Sequence, residues 1–249
     1  MKTAALSGRA LSDLLEQIET AGYAGANVTH PYKQAVMPLL DELSDSAATV
    51  GAVNTVVFKD GRRFGHNTDE WGFRRSFQRN MAGASLDRVV QIGAGGAGAA
   101  TAHAMLRLGA GDLTVFDADS GRARGLADKL AAQFGADRVV ATTDLQAVMA
   151  RANGLVQATP VGMADHPGLP LAAELLRPEL WLAEIIYFPR VTALLALARR
   201  LGCRTVDGGG MVVFQAARAF ELFTGVTPDA ERMLLDFETR LTERSPSGA

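Results

Sequence analysis

Residues 91–98 read Gln-Ile-Gly-Ala-Gly-Gly-Ala-Gly, so Gly93, Gly95 and Gly98 form a G-x-G-x-x-G. The apolar pair Val89-Val90 precedes them, and Ala99, Ala102, Met105, Leu106 and Leu108 follow at helical intervals. In that strand–turn–helix setting the pattern is a dinucleotide fingerprint. Gly93 makes the tight turn, Gly95 lets backbone approach a pyrophosphate, and Gly98 lets helix and strand pack closely. The N–H groups of Gly96, Ala97 and Gly98 then face the phosphates from a helix N-terminus. A second apolar stretch, Leu113-Thr114-Val115-Phe116, ends in Asp117, close to the spacing at which an acid meets the adenosine ribose. A carboxylate there accepts from a 2′-hydroxyl and repels a 2′-phosphate. Asp117-Ala118-Asp119-Ser120 carries two acids, which favours NAD over NADP. Arg122 and Arg124 are the opposing signal, since either reaches a phosphate or stacks on adenine.

A glycine turn says nothing about substrate. Three polar clusters in the first 80 residues do: Asn-Val-Thr-His-Pro-Tyr-Lys at 27–33, Gly-Ala-Val-Asn-Thr at 51–55 and Gly-His-Asn-Thr-Asp at 65–69. Each stands at a strand end, where ligands of open α/β structures gather. Taken singly, Lys33 reads first as a solvated helix residue and Asp69 as a helix cap.

The elements that position these residues follow from periodicity. Leu11, Leu14, Leu15 and Ile18 mark an amphipathic helix stopped near Gly22. Residues 24–29 read as a buried strand broken at Pro31, with a helix following to about Leu43. Residues 53–58 and 63–67 read as strands joined across Lys59-Asp60-Gly61, a hairpin signal. A polar helix over 70–80 leads into the glycine turn. From 88 to 206 strand and helix alternate, with strands near 88–93, 113–117, 138–141, 154–158, 180–186 and 203–206, which predicts a doubly wound parallel sheet of Rossmann type. Helices over 211–223 and 228–243 follow, then a Ser-Pro-Ser-Gly-Ala tail expected to be disordered. The fold class is α/β in two lobes: residues 1–80 joined by the C-terminal helices of 211–249 for substrate and catalysis, and residues 81–210 for the dinucleotide.

Bulk properties narrow the class. The 249 residues are 48% hydrophobic with a formal charge of −2, which fits a soluble enzyme and offers no basic excess for nucleic acid. No apolar run reaches membrane-spanning length and no signal peptide is recognisable, so a cytoplasmic location is expected. The single cysteine, Cys203, excludes an intrachain disulfide and reads as a buried thiol. His30, His66, His103 and His166 have no evident third ligand, and no metal is expected.

Together the polar clusters resemble the shikimate and quinate/shikimate dehydrogenase family. The family's N-x-T-x-P-x-K corresponds to residues 27–33, its G-A-V-N-T to 51–55 and its N-T-D to 67–69. Residues 159–163, Thr-Pro-Val-Gly-Met, are similar to its loop near the nicotinamide. Tyr187-Phe188-Pro189 with Thr192 and Leu194-Leu195 is similar to its Y-x-P-x-x-T-x-L-L. Asp207-Gly208, Met211 and Gln215-Ala216 resemble its closing motif. The resemblance runs from about residue 8 to 235. It implies that Lys33 and Asp69 are the catalytic pair, and that Thr29, Asn54 and Gln215 contact a hydroxylated ring with Tyr187 nearby. Thr159, Gly162, Met163, Gly208 and Met211 then belong to the cofactor side. For Met163 and Met211, core packing is an equal reading.

The chemistry suits the residue types. Taking a hydride from a secondary alcohol requires a general acid/base within about 2.6–3.2 Å of the hydroxyl oxygen. Free lysine, with a pKa of about 10.4, is a poor base at neutral pH. Desolvation lowers such a value and a neighbouring carboxylate raises it. Lys33 is therefore assigned proton transfer, and Asp69 its orientation and a substrate hydroxyl.

Some positions depart from the family. Its members open with a strand and an S-x-S-P-like segment whose serines hold the substrate carboxylate. Here Met1-Lys2-Thr3-Ala4-Ala5-Leu6-Ser7-Gly8 leads almost directly into the helix, and neither Ser7 nor Ser12 reproduces the pattern. The resemblance thus implies a truncated substrate lobe with no carboxylate grip and an unpaired edge at 24–29. Either the natural chain is longer or the lobe is rearranged, with pairing into a homodimer as one such arrangement. Gln157 and Glu184 also differ from the commonest family residues. Two other readings stay open: a dehydrogenase of an aminated shikimate analogue, and a catalytically poor dinucleotide-binding regulatory protein.

Overall fold

The computed structural model describes residues 10–29 and 31–244, the last four without their side chains. The chain divides into two compact units. One runs to Thr68 and includes Arg218–Pro228; the other comprises Asp69–Ala217 and the chain from Asp229 onward.

The first unit contains α1 (Leu11–Thr20), β1 (Gly25–Asn27), β2 (Glu42–Leu43), α2 (Asp45–Val50), β3 (Thr55–Lys59) and β4 (Arg62–His66). Its four-stranded sheet has the order β1-β3-β4-β2, antiparallel except where β4 meets β2. Leu15 of α1 packs with Val36, Ala47, Val53 and Val56 in the core. The expected hairpin forms across Asp60 and Gly61, whose φ values of 52° and 70° are those of a two-residue turn matched to strand twist.

Three expectations for this unit change. The buried strand over 24–29 is only the three-residue β1, half-buried and then exposed, at the margin of the sheet among the described residues. No α-helix fills 32–43: turns lead to a 3-10 segment, Met37–Leu39. In an α-helix the Lys33 carbonyl would take the Met37 N–H. Instead it accepts from Val53 at 2.8 Å, while the Met37 N–H goes to Gln34 at 3.1 Å. Pro38, with no N–H, cannot extend the ladder. The third change is α2, which the sequence reading did not separate. Ser44 caps it, accepting from Ala47 N–H at 3.3 Å, and Gly51 ends it at φ 70°.

The second unit begins within α3 (Thr68–Asn80). It continues through β5 (Arg88–Ile92), α4 (Gly96–Arg107), β6 (Asp112–Phe116), α5 (Ser120–Phe134), β7 (Val139–Ala141), α6 (Leu145–Met149) and β8 (Gly154–Gln157). Then come β9 (Trp181–Glu184), α7 (Ala193–Leu201), β10 (Arg204–Val206), α8 (Gly209–Thr224), which passes into the first unit at Arg218, and α9 (Ala230–Arg244). All six strands pair in parallel, in the order β10-β9-β8-β5-β6-β7. That is the doubly wound arrangement, with its switch point between β5 and β8.

Strand residues alternate between two cores, as the pleat requires. Val89, Val156, Trp181 and Ala183 meet α3, α4 and α5 through Phe77, Met105 and Leu130. Val90, Leu155 and Leu182 meet α7 through Leu194 and Leu195.

Candidate active site

The glycine turn follows β5 directly. Gly93 takes φ 106°, and a Cβ there would lie 2.7 Å from the Ala158 carbonyl. A Cβ on Gly98 would lie 2.3 Å from the Gly93 carbonyl oxygen, so this glycine sets how closely α4 approaches β5. Gly95 and Gly96 are different, because a Cβ on either meets nothing within 4 Å. Gly95 is the N-cap of α4 and supplies no side chain to its N–H groups. An open, uncapped helix N-terminus at the switch point fits a dinucleotide pyrophosphate.

A residue the sequence reading passed over fixes this turn. Gln91 is fully buried on the α4 side of β5. Its Nε2 donates to the carbonyls of Gly93 at 2.9 Å and Gly98 at 2.8 Å, and its Oε1 accepts from Thr101 Oγ1 at 2.9 Å. A polar residue inside Val89-Val90-Gln91-Ile92 was the available signal, because a buried amide must find partners.

Asp117 stands just beyond β6, half-buried. Its Oδ2 accepts the Ala94 N–H at 2.8 Å and its Oδ1 the Asp119 N–H at 2.9 Å, so the carboxylate is fixed against the turn. Asp119 caps α5, accepting from Gly121 and Arg122 N–H groups at 2.9 and 3.2 Å. The Arg122 guanidinium is itself paired with Asp119 at 3.3 Å.

The 159–163 loop rises from the end of β8. Gln157, fully buried, accepts from Thr159 N–H and Oγ1, each at 3.0 Å, and donates to the Val161 carbonyl at 2.7 Å. Gly162 takes φ 115° and Met163 is 41% exposed, whereas Met211 is buried in the core with Phe73 and Phe77. Gly208 approaches β9 so closely that a Cβ would lie 2.1 Å from the Ile185 carbonyl oxygen. Tyr187, 48% exposed, lines a shallow hollow with Arg190, Asp207 and Phe237.

Asp69 is buried in the first turn of α3. One helical turn on, a Cβ on Gly72 would lie 2.6 Å from the Met211 carbonyl oxygen and 2.7 Å from Gln215 N. Helices α3 and α8 therefore touch backbone to backbone, which sets Gln215 one turn from Asp69. The neighbouring Glu70 is also buried. Burial opposes its ionisation, but His103 and Arg74 hold its pKa below the usual value.

In the first unit, Asn54 is the organiser. Its Oδ1 accepts from Thr68 N–H at 2.8 Å and from the Thr55 and Thr68 hydroxyls, each at 3.2 Å. Its carbonyl accepts from Val28 N–H at 2.8 Å, and the adjacent Val53 N–H holds the Lys33 carbonyl. Backbone bonds thus gather the segments carrying Thr29, Lys33 and Asn54. His66 has its pKa lowered by burial and then by Arg218. Ser12 lies within α1, bonded to Asp13. Ser7, His30 and the terminal Ser-Pro-Ser-Gly-Ala lie outside the described residues.

The chain is 56% identical over 229 residues, 91% of its length and 79% of its relative's, to a shikimate dehydrogenase (NADP(+)) of Streptomyces avermitilis. The chain belongs to the shikimate dehydrogenase family. Residues 2–56 match the family's substrate binding domain, and residues 208–234 match the shikimate 5′-dehydrogenase C-terminal domain. A quinate/shikimate dehydrogenase (NAD(+)) of Corynebacterium efficiens is 47% identical over 233 residues, 92% of this chain and 82% of that one. Among solved structures, the quinate dehydrogenase of Corynebacterium glutamicum in complex with NAD superposes with a TM-score of 0.90 at 45% identity, covering 95% of this chain and 85% of that one.

Proposed function

We propose that this protein is a nicotinamide-dependent dehydrogenase interconverting a hydroxyl and a ketone on a cyclic polyol acid, shikimate or quinate. The open, uncapped N-terminus of α4 over Gly95 carries the dinucleotide half of this reading. The substrate half is drawn from relatives named for shikimate and for quinate.

Gly93, Gly95, Gly96, Ala97 and Gly98 would hold the pyrophosphate, and Asp117 the ribose. Thr159, Gly162, Met163, Gly208 and Met211 form the nicotinamide side, which supplies the hydride acceptor when the cofactor is bound. Lys33 accepts the proton as the hydroxyl becomes a ketone, and returns it in reverse. Asp69 orients that exchange and binds a neighbouring hydroxyl. Thr29, Asn54, Gln215 and Tyr187 fix the ring. Substrate handling falls to residues 1–80 with 211–249, and the dinucleotide to residues 81–210.

NAD is the preferred cofactor. A 2′-phosphate carrying nearly two negative charges would meet Asp117 and Asp119, and the Arg122 guanidinium is already paired with Asp119. Both names occur among close relatives, so this preference rests on the local charge alone. The test follows nicotinamide absorbance with shikimate and with quinate, using NAD and then NADP. Reduction of NAD with either acid supports the reading, and no reduction with any of the four combinations overturns it. A kcat/KM higher with NADP would overturn the preference alone.

A further inference from the structure

Glu184 closes β9 on the α7 side of the sheet, 2% exposed and in register with Gln157 of β8. Its Oε2 accepts the Thr192 hydroxyl at 2.5 Å. Its Oε1 is enclosed and has no hydrogen-bond partner among the described residues. Such an oxygen is expensive to keep ionised. Thr192 also caps α7, where its Oγ1 accepts the Leu195 N–H at 3.1 Å. On its far side Thr192 supports the 159–163 loop: a Cβ on Gly162 would lie 3.3 Å from Thr192 Cγ2 and 3.2 Å from Ile186 Cδ1. Gln157 holds the same loop by its amide. Glu184 and Gln157 are thus paired polar supports beneath one functional loop, and the proposed chemistry uses neither.

We propose that Glu184 is a positioning residue for the dinucleotide: its neutral carboxyl holds Thr192, and through Thr192 the Gly162 backbone, in the pose that receives the nicotinamide. Ionisation releases that pose, because an anionic Oε1 enclosed without a partner turns out toward water. The proposal rests on the assignment of residues 159–163 to the nicotinamide side. The groups facing Glu184 set when it ionises. Burial pushes its pKa up to about 7, the Thr192 hydroxyl opposes this, Asp207 adds to it and Arg199 opposes it. Arg199 and Asp207 lie 3.7 Å apart, so each blunts the other. Gln157 and Thr192 carry no charge.

The test is dinucleotide binding by calorimetry without substrate, at pH 6 and pH 8, using whichever of NAD and NADP the wild type binds more tightly. If only the neutral form is competent, the wild-type Kd rises about tenfold between these values. In Glu184→Gln, which keeps an acceptor for Thr192 but cannot ionise, the pH-dependent rise is absent. Thr192→Ser keeps the wild-type slope, whereas Thr192→Val binds more weakly at pH 6 and loses the slope. A merely structural role would lower the melting temperature of these variants without changing any slope. Equal slopes in wild type and Glu184→Gln, or wild-type binding by Thr192→Val, overturn the proposal while leaving the dehydrogenase reading intact. No binding of either dinucleotide by the wild type overturns both.

Discussion

Two glycines of one turn separate packing from ligand approach, and alanine at each gives opposite results. A methyl on Gly98 would lie 2.3 Å from the Gly93 carbonyl oxygen, a backbone atom held by Gln91. Relief requires α4 and the turn to part, and overpacking of this kind costs about 1–3 kcal/mol. At roughly 2–4 °C per kcal/mol for a domain of this size, Gly98→Ala should melt about 2–12 °C lower. Gly95 has φ −74°, which alanine adopts freely, and its methyl meets nothing within 4 Å. Gly95→Ala should therefore keep wild-type stability or gain up to about 1 kcal/mol. Its methyl occupies the space proposed for the pyrophosphate, so NAD affinity should fall at least about tenfold, some 1.4 kcal/mol. Thermal unfolding and NAD titration on both variants decide the matter. Wild-type NAD affinity in Gly95→Ala would refute the placement of the phosphates, and an unchanged melting temperature in Gly98→Ala would refute the packing argument.

Further consequences follow from the same geometry. Asp117→Ser removes a charge that would face a 2′-phosphate, and like charges near a surface repel by up to a few kcal/mol; the NADP-to-NAD ratio of kcat/KM should rise about tenfold or more. Gly72→Ala would drive α3 from α8, lowering stability by about 1–3 kcal/mol in urea unfolding, with the loss of turnover exceeding the loss of NAD affinity. Because the Glu184 pKa is raised in the folded state, the stability of its neutral form is fully present below about pH 4.5 and is lost as pH rises through about 7. That loss should reach at most about 3 kcal/mol and vanish in Glu184→Gln, as followed by denaturant unfolding across the range.

Local chemistry made the dinucleotide half of the fold readable in advance. Alternating apolar strands and helices, the glycine triplet and Asp117 each impose a constraint that acts within a few residues. The first lobe was harder because its elements are short and decided by distant partners. Residues 32–43 carry apolar side chains at helical intervals, yet Val53 takes the Lys33 carbonyl and Pro38 withholds a donor, neither of which periodicity registers. Gln91, Glu184 and Gly72 show the same limit. Their importance lies in which carbonyl, hydroxyl or backbone atom sits opposite, and tertiary packing determines that. Asn54 was marked as a ligand contact, but the threonines its Oδ1 holds emerged only from the folded cluster.

The most direct measurement is hydride transfer in a single turnover by Lys33→Ala with saturating NAD and shikimate or quinate. If this amine exchanges the hydroxyl proton, the rate falls by roughly 10²–10⁴ while NAD binding is retained. A rate close to that of the wild type would contradict the assignment on which the proposed chemistry rests.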